Sequence, residues 1–198
     1  PADQLRKQQC VGKPFAFTLV RLLDDDGNEV PRGEVGELFT TSPYLFNGYW
    51  QDGERVVPPM RDGWFSAGDL ARQDDEGYIY IVDRKKDMIV SGGINIYPRQ
   101  IEEVLYRHPA VGEAAVVGVP DPKWGERLKA YIVPRGGARP SPEELIAHCS
   151  TELSAFKVPR EYELIEALPR NANGKVLKRV LAAAAAAPGT APASPVAS

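Results

Sequence analysis

The sequence predicts an α+β protein: a small antiparallel sheet or partial barrel, followed by a second unit in which strands and helices alternate irregularly. Three observations predict it. Runs of strand formers separated by turn residues fill the first 82 residues without a helical period. The charged stretch Asp83-Arg84-Lys85-Lys86-Asp87 marks a change of character. Beyond it, apolar spacing switches between the strand and helix periods.

Residues 15–23 are rich in strand formers, and Asp24, Asp25, Asp26, Gly27 and Asn28 supply a turn. Residues 33–41 form the next predicted strand. A loop holding Tyr44, Phe46, Tyr49 and Trp50 leads to Pro58 and Pro59. Residues 64–65 and 69–72 flank a short region, Asp74 to Gly77 is a turn, and residues 78–82 complete a hairpin. After the charged stretch, residues 88–90 and 94–97 flank Ser91-Gly92-Gly93, a tight glycine turn. Pro98 opens a helix where proline is tolerated. Ile101, Val104, Leu105 and His108 share one face of it, and Pro109 ends it. Residues 114–119 and 128–133 are strands joined by the loop 121–125. Ser141, Pro142 and Glu144 make a capping box, and the helix that follows buries Leu145, Ile146, Cys149 and Leu153. A strand over 162–165 and a last helix from Lys175 finish the fold. Residues 182–198, alanines and then a Pro/Ala/Ser run, are expected to be a disordered tail, although the alanines suit an extension of the helix.

Composition narrows the function. With 24 basic and 27 acidic residues among 198, the net charge is −3, which excludes a nucleic-acid surface. No apolar run approaches the roughly 20 residues of a transmembrane helix. Two cysteines, Cys10 and Cys149, suit a reducing, cytoplasmic compartment. A start at Pro1 without an initiator Met or signal peptide suggests a piece of a longer chain.

Common catalytic signatures are absent. His108 and His148 have neither metal-ligand nor nucleophile–base spacing, so no metal site is expected. Cys149 belongs to a helix's apolar face. Asn173-Gly174-Lys175-Val176 lacks the upstream glycine and following Ser/Thr of a phosphate-binding P-loop. What remains is polar residues where a fold rarely needs them: Asp69 after Gly68, the charged stretch, the glycine turn, and Lys175 on a flexible loop. Singly, each also suits an ordinary turn or a solvated face.

Their order is specific. Gly33-Glu-Val-Gly-Glu-Leu38, Asn47-Gly48-Tyr49, the run from Gly63 to Asp69 and the run from Gly77 to Asp87 follow one another. Then come Ser91-Gly-Gly-Ile-Asn-Ile-Tyr-Pro98, Pro120-Asp-Pro-Lys-Trp-Gly125, Phe156-Lys-Val-Pro159 and the run from Leu168 to Lys175. From about Gly12 to Leu181 this series resembles the C-terminal part of the adenylate-forming enzymes, in their acyl-CoA synthetase branch.

The resemblance implies an enzyme that activates a carboxylic acid with ATP and Mg²⁺, then passes the acyl group to the thiol of CoA, medium or long fatty acids being the base-rate guess. Residues 1–85 would be the last β subdomain of a large, distorted-barrel N-terminal domain, and residues 86–181 the small mobile C-terminal domain. By position, Asp69 is similar to the aspartate on the ribose hydroxyls and Arg84 to the arginine near ribose and phosphate. Lys86 falls at the family's hinge. Lys175 resembles the lysine that bridges substrate carboxylate and α-phosphate during adenylation. Ser91, Gly92 and Gly93 would line the pantetheine tunnel, and Trp124, Phe156, Lys157 and Arg160 the outer CoA site. Two positions depart from the pattern: Gln100 replaces a glutamate, and Ala67 a threonine. The phosphate loop, the magnesium-holding glutamate and the acyl pocket lie upstream in relatives, so the missing N-terminal part is the expected partner and the chain alone is expected to be inert. Loading of a carrier-protein thiol, or a non-catalytic module binding CoA or nucleotide, are the alternatives.

Overall fold

The computed structural model describes residues 6–58 and 60–186, and the chain divides into two compact units, Pro1–Lys86 and Asp87–Ser198.

The first unit is built on β1 (Leu19–Leu23), β2 (Val35–Thr41), β3 (Tyr49–Gln51), β4 (Glu54–Val56), β5 (Met60–Arg61), β6 (Trp64–Gln73) and β7 (Ile79–Arg84). β6 is the longest of these. It pairs with β2 along one edge, and on the other first with β5 and then with β7, all antiparallel. Register shifts at Glu37/Phe39 and Leu70/Ala71 bend this sheet into a curled half-barrel. β3 and β4 form a separate hairpin within the segment expected to be a loop. Its turn, Asp52-Gly53, has φ of 50° and 85°, the mirror-image turn that matches strand twist. β1 starts later than the sequence suggests. Phe17 adopts φ 63°, and the Thr18 amide donates to the Phe15 carbonyl, so the chain turns before it extends.

Asp74 organises the turn between β6 and β7. Its Oδ1 accepts from the Glu76 and Tyr78 amides, and its Oδ2 from Lys7 Nζ (2.7 Å) and Tyr80 Oη. Hydrogen bonding from Lys7 holds its carboxyl down to about 2. Arg6 and then Lys7 hold Glu76 at about 2 as well.

The second unit contains β8 (Ile89–Ser91), β9 (Ile94–Ile96), α1 (Pro98–Tyr106), β10 (Val111–Asp121), β11 (Gly125–Pro134), α2 (Pro142–Ser150), β12 (Glu161–Leu164) and α3 (Lys178–Ala186). β11 is central. It carries β10 along one edge, and β12 (parallel) and the β8–β9 hairpin along the other. Alternate residues of β10 and β11 point to opposite faces. Ala114, Val116, Leu128, Ala130 and Ile132 join α1 and α2 in one core; Ala115, Val117, Val119 and Tyr131 join Leu168 and Leu181 of α3 in the other. The β10 edge is closed by Glu102 of α1, which accepts from the Val116 amide at 2.8 Å and from Lys178 Nζ at 2.7 Å. Ser141 and Glu144 form both bonds of the capping box, and Cys149 is fully buried.

Two sequence expectations need correction here. The last helix begins at Lys178, because residues 170–176 close a small bridge first. Ala182–Ala186, assigned to the tail, are helical, since Leu181, Ala182 and Ala185 pack on the sheet. Residues 187–198 of that tail lie outside the described residues.

Asp74 and Glu76 give the first unit an acid dependence. Their folded pKa values lie below the roughly 4 of an unfolded carboxyl, so the unfolded chain protonates first. The stabilisation is complete above about pH 4 and is lost as pH falls through about 2. Thermal melts should show Tm falling across that window, with a shallower fall in Asp74→Asn. An unchanged acid slope in the variant would contradict this account.

Candidate functional site

The polar residues singled out by sequence fall into three groups. The first lies on β6 and β7 of the first unit. Asp69 and Arg84 face each other across the ladder, with Arg84 Nε 2.7 Å from Asp69 Oδ1. Gly68 precedes Asp69 with φ 76°, and its amide donates to Ser66 Oγ, which donates to Glu37 Oε1 at 2.6 Å. The other oxygen of Glu37 accepts from Lys85 Nζ at 2.9 Å, and Asp25 lies 2.7 Å from the same ammonium. Hydrogen bonds to Asp25 and Glu37 raise the Lys85 pKa. The chain is thus anchored up to Lys85, while Lys86 is exposed in a single 3-10 turn, Lys85–Asp87, and ends the first unit.

The second group forms a cleft of about 290 Å³ in the second unit. Ser91, Gly92, Trp124, Phe156 and Arg160 line it, bringing together residues 69 positions apart in the chain. Gly93 and Lys157 do not line it; Lys157 Nζ instead donates to Gln100 Oε1. Trp124 and Phe156 are half-exposed aromatic faces. The Arg160 guanidinium has no hydrogen bond or ion pair among the described residues. Gly92 has φ 58°, and its amide donates to the Trp124 carbonyl at 2.8 Å. A Cβ on it would lie 2.9 Å from the indole ring. Asp121 fixes the loop from the other side, accepting from the Lys123 and Trp124 amides, and these bonds lower its pKa.

Asp121 and Arg127 also line this cleft and were missed. Asp121 was legible as a turn former followed by proline. Arg127 carried no local signal; strand register places it, and Glu161 pairs with it.

The third group is the loop before α3. Asn171 Oδ1 accepts from the Asn173 and Lys175 amides, and its backbone exchanges hydrogen bonds with Gly174 and Lys175. Val176 packs in the second core, whereas Lys175 is exposed and its ammonium has no partner among the described residues. A rigid loop presenting an unpaired cation suits stabilisation of negative charge that develops elsewhere. Among the described residues, no group of three or more His, Cys, Asp or Glu is placed to hold a metal, and no helix is long and apolar enough to cross a membrane.

The chain resembles known proteins over most of its length. Residues 100–175 match the AMP-binding enzyme C-terminal domain, and residues 1–50 match the AMP-binding enzyme family. A feruloyl-CoA synthase of Amycolatopsis sp is 48% identical over 177 residues, 89% of this chain and 36% of that protein. The fatty acid–[acyl-carrier-protein] ligase ScoC of Streptomyces coeruleorubidus is 41% identical over 173 residues, 87% of this chain and 33% of that protein. Among solved structures, the Bacillus subtilis o-succinylbenzoate CoA synthetase, in complex with its acyl-adenylate intermediate, superposes with a TM-score of 0.82 at 35% identity. That match covers 91% of this chain and 37% of that one. The chain thus spans about a third of the length of the relatives it matches.

Gly92 and Gly93 should respond differently to alanine. Both have positive φ, which costs about 1–2 kcal/mol for a residue bearing Cβ. Only Gly92 also meets Trp124, while Gly93 faces open space. Denaturant unfolding should therefore find Gly92→Ala the more destabilised. Equal losses would mean that the indole yields freely.

Proposed function

We propose, from the premise that this chain belongs to the AMP-binding, adenylate-forming superfamily, that it is the C-terminal part of an acid–CoA ligase. The observation that carries this reading is the braced, unpaired Lys175 at the end of the matched C-terminal domain. In the whole ligase a substrate carboxylate oxygen attacks the α-phosphorus of ATP, forming the acyl-adenylate and releasing pyrophosphate. Carboxylate and triphosphate repel each other, and the Lys175 ammonium offsets that charge as the transition state forms. Asp69 accepts from the ribose hydroxyls, and Arg84, held by Asp69, reaches toward ribose and phosphate. Magnesium has no suitable donor set among the described residues.

For the second half-reaction, the thiol sulfur attacks the acyl carbon and AMP leaves. The cleft beside Gly92 suits CoA: Trp124 and Phe156 offer faces for adenine, and Arg160 a cation for phosphate. Lys86 is the place where the backbone turns between the two reactions, since Lys85 is held and Lys86 is not. A reaction that consumes ATP and CoA suits the cytoplasm. A carrier-protein thiol is the second reading, favoured by the similarity to ScoC. Turnover with free CoA against a phosphopantetheinyl carrier separates the two.

In the whole ligase, Lys175→Ala should abolish ATP–pyrophosphate exchange, while thioester formation from preformed acyl-adenylate survives. Equal loss of both half-reactions would remove Lys175 from this role. Lys86→Pro should slow the thioester step selectively, and unchanged kinetics in both steps would refute the hinge. The 198-residue chain alone should give no exchange with any carboxylic acid.

A further inference from the structure

We propose that Arg170 is a positioning residue that aims Lys175, an inference that rests on the adenylation role of Lys175 given above. Gly174 Cα carries φ 79°, and its carbonyl belongs to the peptide that leads into Lys175. Arg170 Nη1 donates to that carbonyl at 2.6 Å. The other arm of the same guanidinium, Nη2, pairs with Glu113 Oε2. Glu113 follows a bulge in β10, where the register slips between Val111 and Glu113, and such bulges re-aim the next side chain.

The remaining backbone groups around Lys175 are also tied back. Its amide donates to Asn171 Oδ1 at 2.9 Å, and its carbonyl accepts from the Asn171 amide at 3.0 Å. Residues 170 and 176 form a bridge, and the partly buried Val176 packs against the core. The bonds from Asn171 are local and would persist in a loop that tilts as one body. Among the described residues, the Arg170–Glu113 pair is the hydrogen bond that ties the loop tip to the sheet edge 57 residues earlier in the chain. A guanidinium suits this task because its rigid fork serves a carbonyl and a carboxylate at once; a lysine ammonium cannot hold both in one plane.

The pair is poorly suited to a purely stabilising role. Its side chains are 42% and 40% exposed, and such surface pairs contribute little to folding. Their effect is on where the ammonium sits, and misplacement on the scale of 1 Å costs up to about 100-fold in rate.

In the whole ligase, Arg170→Ala should lower kcat for adenylation by roughly 10-fold, with KM for ATP, the thioester step and Tm little changed. Arg170→Lys should recover part of that loss. Glu113→Gln should reproduce part of it, and the double variant should be no worse than Arg170→Ala, because both act through one contact. Loss shared equally by both half-reactions, or a matching fall in Tm, would make Arg170 merely structural and overturn the proposal. So would unchanged adenylation in Arg170→Ala where Lys175→Ala abolishes it. Adenylation intact in Lys175→Ala itself would instead overturn the parent reading, and this one with it.

Discussion

The antiparallel ladder between β10 and β11 is the constraint on which the second unit depends. Both faces of the pair are buried along its middle, so its apolar side chains are committed to one core or the other. A slip of one residue would exchange Ala115, Val117 and Tyr131 with the set that packs on α1 and α2. The ladder also sets the distance between the two proposed functional surfaces of this unit. The turn at its tip carries Asp121 and Trp124, and its open end carries Glu113, the contact of Arg170. Glu113 and Asp121 are eight residue steps apart along the strand, about 26 Å at the usual rise.

In the first unit the long strand β6 has the corresponding role. Its register sets Asp69 opposite Arg84, and the same sheet holds Glu37, whose two oxygens link Ser66 beneath Gly68 to Lys85. The proposed nucleotide contacts and the last anchored residue before Lys86 therefore share one network. The Lys85 ammonium is shared between two carboxylates, which opposes its deprotonation and keeps the strand end attached.

Much of this was legible from local chemistry. Capping at Ser141, the helix face of Ile101, Val104 and Leu105, and the Gly92-Gly93 turn each depend on residues a few positions apart. The hairpin of β3 and β4 has only the Asp52-Gly53 turn to mark it in the sequence, and its three-residue strands equally suit a loop. The helical character of Ala182–Ala186 came from packing on the sheet, which propensity alone leaves undecided. Among the site residues, Asp69, Arg84 and Lys175 stood out through their place in an ordered series of motifs. Arg127 did not, because its position in the cleft follows from strand register.

By itself, the sequence determined the two-part organisation, the identities of the charged residues that stand out, and the turns that present them. These follow from backbone preferences and side-chain periodicity within short windows. Tertiary structure alone decided which of those residues meet. It brought Trp124 onto Gly92 and Phe156 into the same cleft, left Gly93 and Lys157 outside it, and gave Arg170 its hold on Glu113. The reason is physical. Each of these contacts depends on the register of strands and the seating of helices, which the whole core sets and no local window contains.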